Sequence, residues 1–175
     1  MTWAPKTYEE GLRMAWDDDD DDGVAHCLSY IEPHLPSAGV VVDIGCGVGR
    51  LAIPIAERHP ELLVFGVDTS SAMLAVAPID APVSWQGHMP PGFDFAYSVL
   101  TFQHIGDDEM RRYLQTVRDA GADILFQFVE GTEREPLSMQ RPSGWVREWC
   151  HAAGFSVVAL ETDRRFDNWR WVYAR

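Results

Sequence analysis

The sequence predicts an α/β fold built on a largely parallel sheet, and three observations carry this prediction. Apolar runs of strand length alternate with amphipathic stretches along most of the 175 residues. Such alternation indicates β-α-β units whose sheet is covered on both faces. A glycine-rich stretch, VVDIGCGVGR, stands where the first strand ends and a helix begins. The last two apolar runs are joined by a short polar link, which predicts an antiparallel hairpin at one sheet edge.

The predicted elements follow one another from Gly39 onward. In chain order they are strand GVVVDI, helix RLAIPIAERH, strand ELLVFGV, helix SAMLAVA, strands APVSW and FDFAYSVL, helix DDEMRRYLQTVRDA and strand ADILFQFVE. Helix SGWVREWCHAAGF is then expected to begin with Ser143 as its N-cap and to end at Gly154. Strands FSVVALETD and NWRWVYAR, joined by RRFD, complete the sheet.

Residues 1–38 precede the first strand and are predicted to be an N-terminal helical segment of the same domain, which 39–175 completes. Within this segment, six aspartates from Asp17 to Asp22 separate two helical stretches. Adjacent carboxylates repel one another, so we expect a solvated loop here. The alternative, a site for a divalent metal or a cationic substrate, needs carboxylates that converge from defined positions. No metal is therefore predicted.

Composition and charge restrict the classes of function. The contents of hydrophobic residues, 46%, and charged residues, 23%, are typical of a single globular domain. The net charge of -13 repels a phosphate backbone and disfavours nucleic acid as a partner. Because no apolar run has the length of a membrane span and the N-terminus lacks a signal-peptide pattern, we expect a cytoplasmic protein. The three cysteines, Cys27, Cys46 and Cys150, have no metal-binding spacing and are expected to be reduced thiols.

The glycine-rich loop predicts close approach of a ligand to the backbone. Gly45, Gly47 and Gly49 follow Asp43 at the end of the first strand. Glycine has no Cβ to block a ligand, and backbone N–H groups at a helix N-terminus attract anionic groups. A dinucleotide-binding loop requires a small residue where this chain has Arg50. An NAD-dependent oxidoreductase is therefore disfavoured.

An acid at the tip of the second strand supplies the second clue. A carboxylate at this position, Asp68, can accept hydrogen bonds from both hydroxyls of a ribose that lies across the glycine loop. Its alternative role is to cap the helix that follows, but Thr69 or Ser70 can supply that cap. Loop and acid together indicate a ligand that contains adenosine.

These motifs resemble those of the class I S-adenosylmethionine-dependent methyltransferases. VVDIGCGVGR is similar to the first motif of that family, VFGVDTSSAML to the second, and FDFAYSVLTFQHI to the fourth-strand motif. The resemblance covers Gly39 to Arg175. It implies a Rossmann-like fold: a seven-stranded, mostly parallel sheet with a C-terminal antiparallel hairpin and helices on both faces. It also implies S-adenosylmethionine as cofactor, bound across the carboxyl ends of the strands, and methyltransferase activity of class EC 2.1.1.

The resemblance further implies which residues bind the cofactor. The glycine loop would contact its methionine part, Asp68 its ribose hydroxyls, and Thr69 with Met73 its adenine. Many relatives place an acid near the adenine amino group after the third strand, where SWQGHMP offers Gln86 as an amide acceptor. The predicted cofactor-binding residues are Asp43, Gly45, Cys46, Gly47, Gly49, Asp68, Thr69, Met73, Gln86, Gly87 and Ser98.

Few catalytic groups are expected, because methyl transfer from a sulfonium needs alignment of the acceptor and, for a protonated acceptor, removal of a proton. His104 follows the fourth strand and Glu130 ends the fifth, so both are candidate bases at the carboxyl-end rim. The alternatives are a packed histidine at the start of a helix and a simple loop acid.

The acceptor is expected to be a small molecule methylated on oxygen or nitrogen, because the chain has no insertion large enough for a substrate domain. Its pocket could be built from a lid of Trp3, Tyr8, Arg13 and Trp16, a wall formed by residues 131–142, and a floor of Phe102 and Gln103. Two alternatives stay open: a catalytically silent cofactor-binding protein that acts in interaction or regulation, and a methyltransferase of a basic protein segment. A monomer or a homodimer is expected.

Overall fold

The computed structural model describes residues 4–15, 21–135 and 138–175. The strands are β1 Gly39–Ile44, β2 Leu62–Val67, β3 Val83–Gln86, β4 Phe95–Ser98, β5 Asp123–Val129, β6 Arg134–Glu135, β7 Ser138–Met139, β8 Val157–Thr162 and β9 Trp169–Ala174. The helices are α1 Tyr8–Ala15, α2 Asp21–Ile31, α3 Ala52–Arg58, α4 Ser71–Val76, α5 Asp107–Asp119 and α6 Ser143–Ala152, with short 3-10 turns at Glu32–His34 and Phe102–His104.

The predicted fold class is confirmed. Seven strands form one sheet in the order β3-β2-β1-β4-β5-β9-β8, while β6 and β7 form a separate ladder. Strand β2 pairs in parallel with both β1 and β3. Strand β9 pairs antiparallel with both β5 and β8, so the predicted C-terminal hairpin lies at the sheet edge with β9 on its inner side. The architecture is the Rossmann-like sheet that the resemblance implied.

The chain divides into two compact units, residues 1–95 and 96–175. In the first unit, β1, β2 and β3 end in register, because Ile44 pairs with Val67 and Val67 with Gln86. The residues that follow each strand therefore leave the sheet along the same edge, the one formed by the carboxyl ends of the strands. This register is what collects the glycine loop, Asp68 and Gly87 in one place.

The second unit has an aromatic core beneath β5. The ring centroids of Phe102 and Phe126 are 5.3 Å apart, and Phe128 follows at 6.5 Å from Phe126. All three side chains are buried. Because burial of aromatic rings supplies much of the driving force for folding, this cluster anchors the turn after β4 to the middle of β5.

Several details of the N-terminal and helical predictions are resolved. Helices α1 and α2 form in the N-terminal segment, and α2 begins at Asp21 inside the aspartate run. Asp17 to Asp20, like Trp3 and Trp16, lie outside the described residues.

All three cysteines are buried free thiols, as expected. Across the described ranges, none of the helices combines the length and apolar character of a membrane span.

The prediction that Ser143 is the N-cap of α6 is wrong. The helix includes Ser143, and the residue at the cap position is Pro142, which has no side-chain acceptor. The Ser143 hydroxyl instead donates a hydrogen bond to the Glu130 carboxylate. Proline is well suited to a helix start because its ring fixes φ near the helical value. This leaves the serine hydroxyl available to the neighbouring loop.

Candidate functional site

The glycine loop after β1 is held in a conformation that requires glycine. Gly45, Gly47 and Gly49 have φ angles of 76°, 56° and 94°. Residues with a Cβ pay a steric penalty in this left-handed region. The backbone N–H groups of Gly45 and Cys46 both donate to the carbonyl of Val67, at 2.7 and 3.1 Å, and this pair of bonds fastens the loop to the end of β2.

Two of the loop glycines have different surroundings. Among the residues that the structure describes, a Cβ at Gly47 would meet no heavy atom within 4 Å, whereas a Cβ at Gly49 would lie 2.2 Å from Cη2 of Trp85. Gly47 therefore faces open space that a ligand can enter. Gly49 instead allows the loop to pack against an indole ring, so its requirement for glycine comes from packing.

Asp68 is fixed at the centre of this edge. One carboxylate oxygen, Oδ2, accepts a hydrogen bond of 2.8 Å from the Gly47 N–H, and Oδ1 accepts one of 2.8 Å from the Ser70 N–H. The Ser70 hydroxyl caps α4 by accepting from the Met73 N–H. The helix cap is thus supplied by Ser70. Since each carboxylate oxygen can accept about two hydrogen bonds, Asp68 keeps capacity for two hydroxyl donors.

The remaining predicted cofactor residues of the first unit surround Asp68. The Gln86 carbonyl accepts from the Asp68 N–H at 3.2 Å, and a Cβ at Gly87 would find only the Asp68 carbonyl oxygen, at 3.9 Å. Thr69 is exposed, while Met73 is buried in α4. Except for Ser98, the structure brings all the predicted cofactor residues together at this edge.

Two buried groups lie beneath the loop. Asp43, at the end of β1, is 4% exposed. Burial raises the pKa of the Cys46 thiol, and the negative charges of Asp43 and Asp68 add to that rise. Cys46 is therefore a neutral thiol at physiological pH and acts as a small apolar side chain under the loop.

Ser98, His104 and Glu130 belong to the second unit. Ser98 ends β4 and is fully buried. His104 is half-buried at the end of a 3-10 turn, where its Nε2 lies 3.2 Å from Nε2 of Gln103. His104 ends the 3-10 turn that follows β4, and its role as a base stays a prediction.

The carboxylate of Glu130 is engaged on both oxygens. The Ser143 hydroxyl donates to Oε1, and the Arg170 guanidinium forms an ion pair with Oε2. The Ser143 hydrogen bond and, more weakly, the positive charge of Arg170 hold the pKa of Glu130 below its ordinary value, although partial burial opposes them. A carboxylate stabilised in this way is a weak base. Its contacts favour a role in joining the loop after β5 to α6 and β9.

Comparison with known proteins decides the family. A family model described as a methyltransferase domain matches residues 41–121. The chain is 31% identical over 159 residues to a trans-aconitate 2-methyltransferase of Rhodopseudomonas palustris strain HaA2, an alignment covering 85% of this chain and 59% of the relative. This chain belongs to the class I S-adenosylmethionine-dependent methyltransferase family.

Other methyltransferases are similar to this chain in sequence or in fold. A trans-aconitate 2-methyltransferase of Deinococcus radiodurans is 39% identical over 77 residues, which cover 44% of this chain and 27% of the relative. The chain therefore spans between a quarter and three fifths of the length of these relatives. The fold matches magnesium protoporphyrin IX methyltransferase from Synechocystis PCC 6803 with a TM-score of 0.69 and 20% identity, over 87% of this chain and 81% of that chain.

Two residues of this chain were missed by the sequence analysis. Trp85 covers both Gly49 and Gly66, and its Nε1 donates to the Pro78 carbonyl at 3.0 Å. Its place opposite Gly66 in the β2-β3 register is the signal that could have identified it. Arg141 is fully buried in the second unit, and an arginine in a polar loop gives no sequence signal of burial.

The structure bears differently on the predicted lid and on the predicted pocket floor. Helix α1 lies on the glycine loop: a Cβ at Gly11 would be 2.3 Å from Cγ1 of Val48, and Arg50 Nη1 donates to the Leu12 carbonyl at 3.3 Å. Burial raises the pKa of the Tyr8 phenol in the same helix, while the nearby Arg50 charge opposes that rise. The prediction that Phe102 lines a pocket floor is wrong, because its ring is fully buried in the aromatic core.

Proposed function

We propose that this chain binds S-adenosylmethionine and transfers its methyl group to an oxygen or nitrogen atom of a small molecule. The observation that carries the proposal is the carboxylate of Asp68, which is fixed by the Gly47 and Ser70 N–H groups and keeps acceptor capacity for a ribose. Beside it, Gly47 leaves open space over the loop. An adenosine-containing ligand fits both features.

The comparisons support S-adenosylmethionine as the cofactor and indicate which acceptor to test first. The Synechocystis neighbour is described with bound SAH, the demethylated product S-adenosylhomocysteine, and another structure of that protein with bound SAM. Several relatives are named trans-aconitate 2-methyltransferase. Since this chain covers only part of their length, methylation of a small organic acid is a proposal, and trans-aconitate is the first acceptor to test.

The chain's own residues would have three tasks in this reaction. When bound, the cofactor supplies a methyl group already activated on a sulfonium. The glycine loop and Asp68 bind and orient it at the edge of the first unit. A base then takes the proton from a hydroxyl or ammonium acceptor, whereas a carboxylate acceptor needs none.

For the proton, His104 is the stronger of the two proposed bases. An imidazole has an ordinary pKa close to neutrality, so its neutral form is abundant at physiological pH. The pKa of Glu130 is held low by Ser143 and Arg170, which reduces its basicity. With a hydroxyl or amine acceptor, loss of turnover in His104→Gln with retained cofactor binding would support this assignment, and full turnover in that variant would exclude it.

Calorimetric titration tests the cofactor. We expect micromolar binding of S-adenosylmethionine and S-adenosylhomocysteine and no binding of NAD. The variant Asp68→Ala should bind about 5- to 150-fold more weakly, the scale of hydrogen bonds to a charged group. The matched control Asp80→Ala removes an exposed carboxylate from the α4-β3 loop and should bind as wild type. If the folded protein binds neither sulfur compound, the proposal fails.

An acceptor assay tests the reaction itself. Formation of S-adenosylhomocysteine is measured with trans-aconitate, a phenol, an amine and an arginine-rich peptide as acceptors. Turnover with one of the small molecules supports the proposal, and turnover with the peptide alone indicates a protein substrate. Tight cofactor binding without turnover on any acceptor would favour the catalytically silent alternative.

A further inference from the structure

We infer that Arg141 is a positioning residue, whose guanidinium fixes the segment that carries His104. The inference rests on the proposed function, because it assigns a catalytic purpose to that segment. Arg141 has 0% exposure. A buried cation is costly to desolvate unless it is paired and fully hydrogen-bonded, so its neighbours show what the residue does.

The guanidinium satisfies its donors on one short stretch of chain and on a neighbouring loop. Nη1 donates to the Phe102 carbonyl and Nη2 to the Ile105 carbonyl, each at 2.6 Å. Nε donates to Asp107 Oδ1 at 3.1 Å, which supplies the counter-charge. Nη1 also donates to the Met139 carbonyl at 3.1 Å. Three backbone carbonyls and the Asp107 carboxylate thus compensate the buried cation.

The two short hydrogen bonds flank the candidate base. Phe102 and Ile105 stand on either side of Gln103 and His104 in the sequence. Because the guanidinium is planar and its two terminal nitrogens have a fixed separation, it sets the distance between the two carbonyls. The backbone on which the His104 ring is mounted is therefore held from both ends by one side chain.

The same segment carries backbone strain that needs such support. Leu100 has φ of 60° and is the one non-glycine residue with positive φ in the part of the chain that the structure describes. A left-handed leucine is sterically disfavoured and persists only where surrounding contacts compensate it. The hydrogen bonds from Arg141 begin two residues later, at the turn that this leucine introduces.

The backbone of Arg141 joins this turn to the loop after β5. Its N–H donates to the Val129 carbonyl at 2.9 Å, and its carbonyl accepts from the Gly131 N–H at 3.3 Å. These bonds lie on either side of Glu130. One residue therefore holds, through its side chain and its backbone, the two segments that contain the predicted bases.

The test compares Arg141→Met, which removes the charge and the donors but keeps much of the volume, with Arg141→Lys and wild type. The control Arg112→Met makes the same change at an exposed arginine of α5. Amide hydrogen exchange is expected to become at least tenfold faster over residues 101–107 and 129–141 in Arg141→Met. It should rise less in Arg141→Lys, because an ammonium keeps the charge but lacks the planar fork.

A second measurement reports on His104 itself. The protein has six histidines, and the imidazole signals of a histidine-labelled sample are assigned with His104→Gln. In Arg141→Met the His104 signal should shift and broaden, while the signals of His26 and His88 in the first unit stay unchanged. Should Arg141→Met fail to fold, the comparison is made with Arg141→Lys. A folded variant with wild-type exchange and an unchanged His104 signal would overturn the inference.

Kinetics separate this inference from the proposed function. With a phenol or an amine as acceptor, whose methylation requires removal of a proton, kcat of the variant should fall at least tenfold while the Kd for S-adenosylmethionine stays within twofold of wild type. An equal loss of cofactor binding would overturn the positioning role. If wild type methylates neither the phenol nor the amine, that choice of acceptor fails. The exchange and His104 measurements then decide the inference alone.

Discussion

The indole of Trp85 lies directly against Gly49, so that a Cβ at Gly49 would come within 2.2 Å of the ring carbon Cη2. This contact gives a packing reason for glycine at position 49. In the same loop, Gly47 faces space that none of the described residues fills. Substitution by alanine is therefore expected to lower mainly the stability of the protein at Gly49 and mainly its affinity for the cofactor at Gly47.

Gly49→Ala should destabilise the protein by about 2 to 5 kcal/mol, because overpacking and a left-handed alanine both add to the cost. Urea denaturation measures the loss. Adding Trp85→Leu should restore part of the stability, because it removes the ring carbons that the new methyl group meets. If the double variant is no more stable than Gly49→Ala, the ring is not the source of the constraint.

Gly47→Ala should show the opposite pattern. Its cost in stability is limited to about 1 to 2 kcal/mol for a left-handed alanine, since none of the described residues has an atom that opposes the methyl group. Its affinity for S-adenosylmethionine should fall more than tenfold, because the methyl group occupies the space over the loop. Calorimetry on the folded variant tests this. Wild-type affinity would show that the ligand does not approach Gly47.

The contrast between these glycines also shows how far the sequence could be used. The spacing of the glycines and the position of Asp68 predicted that these residues lie together at the carboxyl ends of the strands, because both depend on local chain geometry at strand ends. The role of Trp85 depends on which residues of β2 and β3 stand opposite each other. Pairing register across a sheet is a tertiary property and has no local signature in the sequence.

The second unit was predicted less completely for the same reason. The elements and the hairpin follow from hydrophobic patterning. Arg141, in contrast, can be buried because four acceptors from two separate segments of the chain converge on it. Ser143 was predicted to cap its own helix, and in the fold it serves Glu130 instead. Polar side chains have several satisfactory partners, and the tertiary structure selects among them.

Asp163 is expected to be essential for the C-terminal hairpin. This aspartate is 3% exposed, and its Oδ2 accepts from Trp171 Nε1 at 2.7 Å and from Gln127 Nε2 at 3.2 Å. Asp163→Ala leaves two buried donors without this acceptor and should cost about 2 to 4 kcal/mol. Denaturant unfolding measures the loss. Asp167→Ala, at an exposed position in the same hairpin loop, is the control and should stay near wild type.

Glu130 should make stability depend on pH on the acid side. Its folded-state pKa lies below the ordinary value of 4.5, first because of the Ser143 hydrogen bond and then through the charge of Arg170. A depressed carboxyl pKa contributes stability that is present above pH 4.5 and is lost as pH falls through the folded-state pKa. Wild type should therefore lose more stability than Glu130→Gln in this acid range.

Unfolding free energies measured from pH 6 down to about pH 3 test this dependence. Ser143→Ala should shift the acid loss of stability in the same direction as Glu130→Gln but by less, because the Arg170 ion pair remains. Parallel curves for wild type and Glu130→Gln across the whole range would show that Ser143 and Arg170 do not lower the folded-state pKa of Glu130.

The packing of α1 on the glycine loop provides the test of the predicted lid. A Cβ at Gly11 would lie 2.3 Å from Cγ1 of Val48, so Gly11→Ala should push the helix away from the loop. Amide exchange over residues 8–15 should then accelerate, and S-adenosylmethionine should bind more weakly if α1 covers it. The double variant Gly11→Ala, Val48→Ala removes the opposing methyl groups and should recover both properties. If exchange over residues 8–15 returns to the wild-type rate in the double variant while both variants bind S-adenosylmethionine as tightly as wild type, then α1 stabilises the loop from outside and does not cover the ligand.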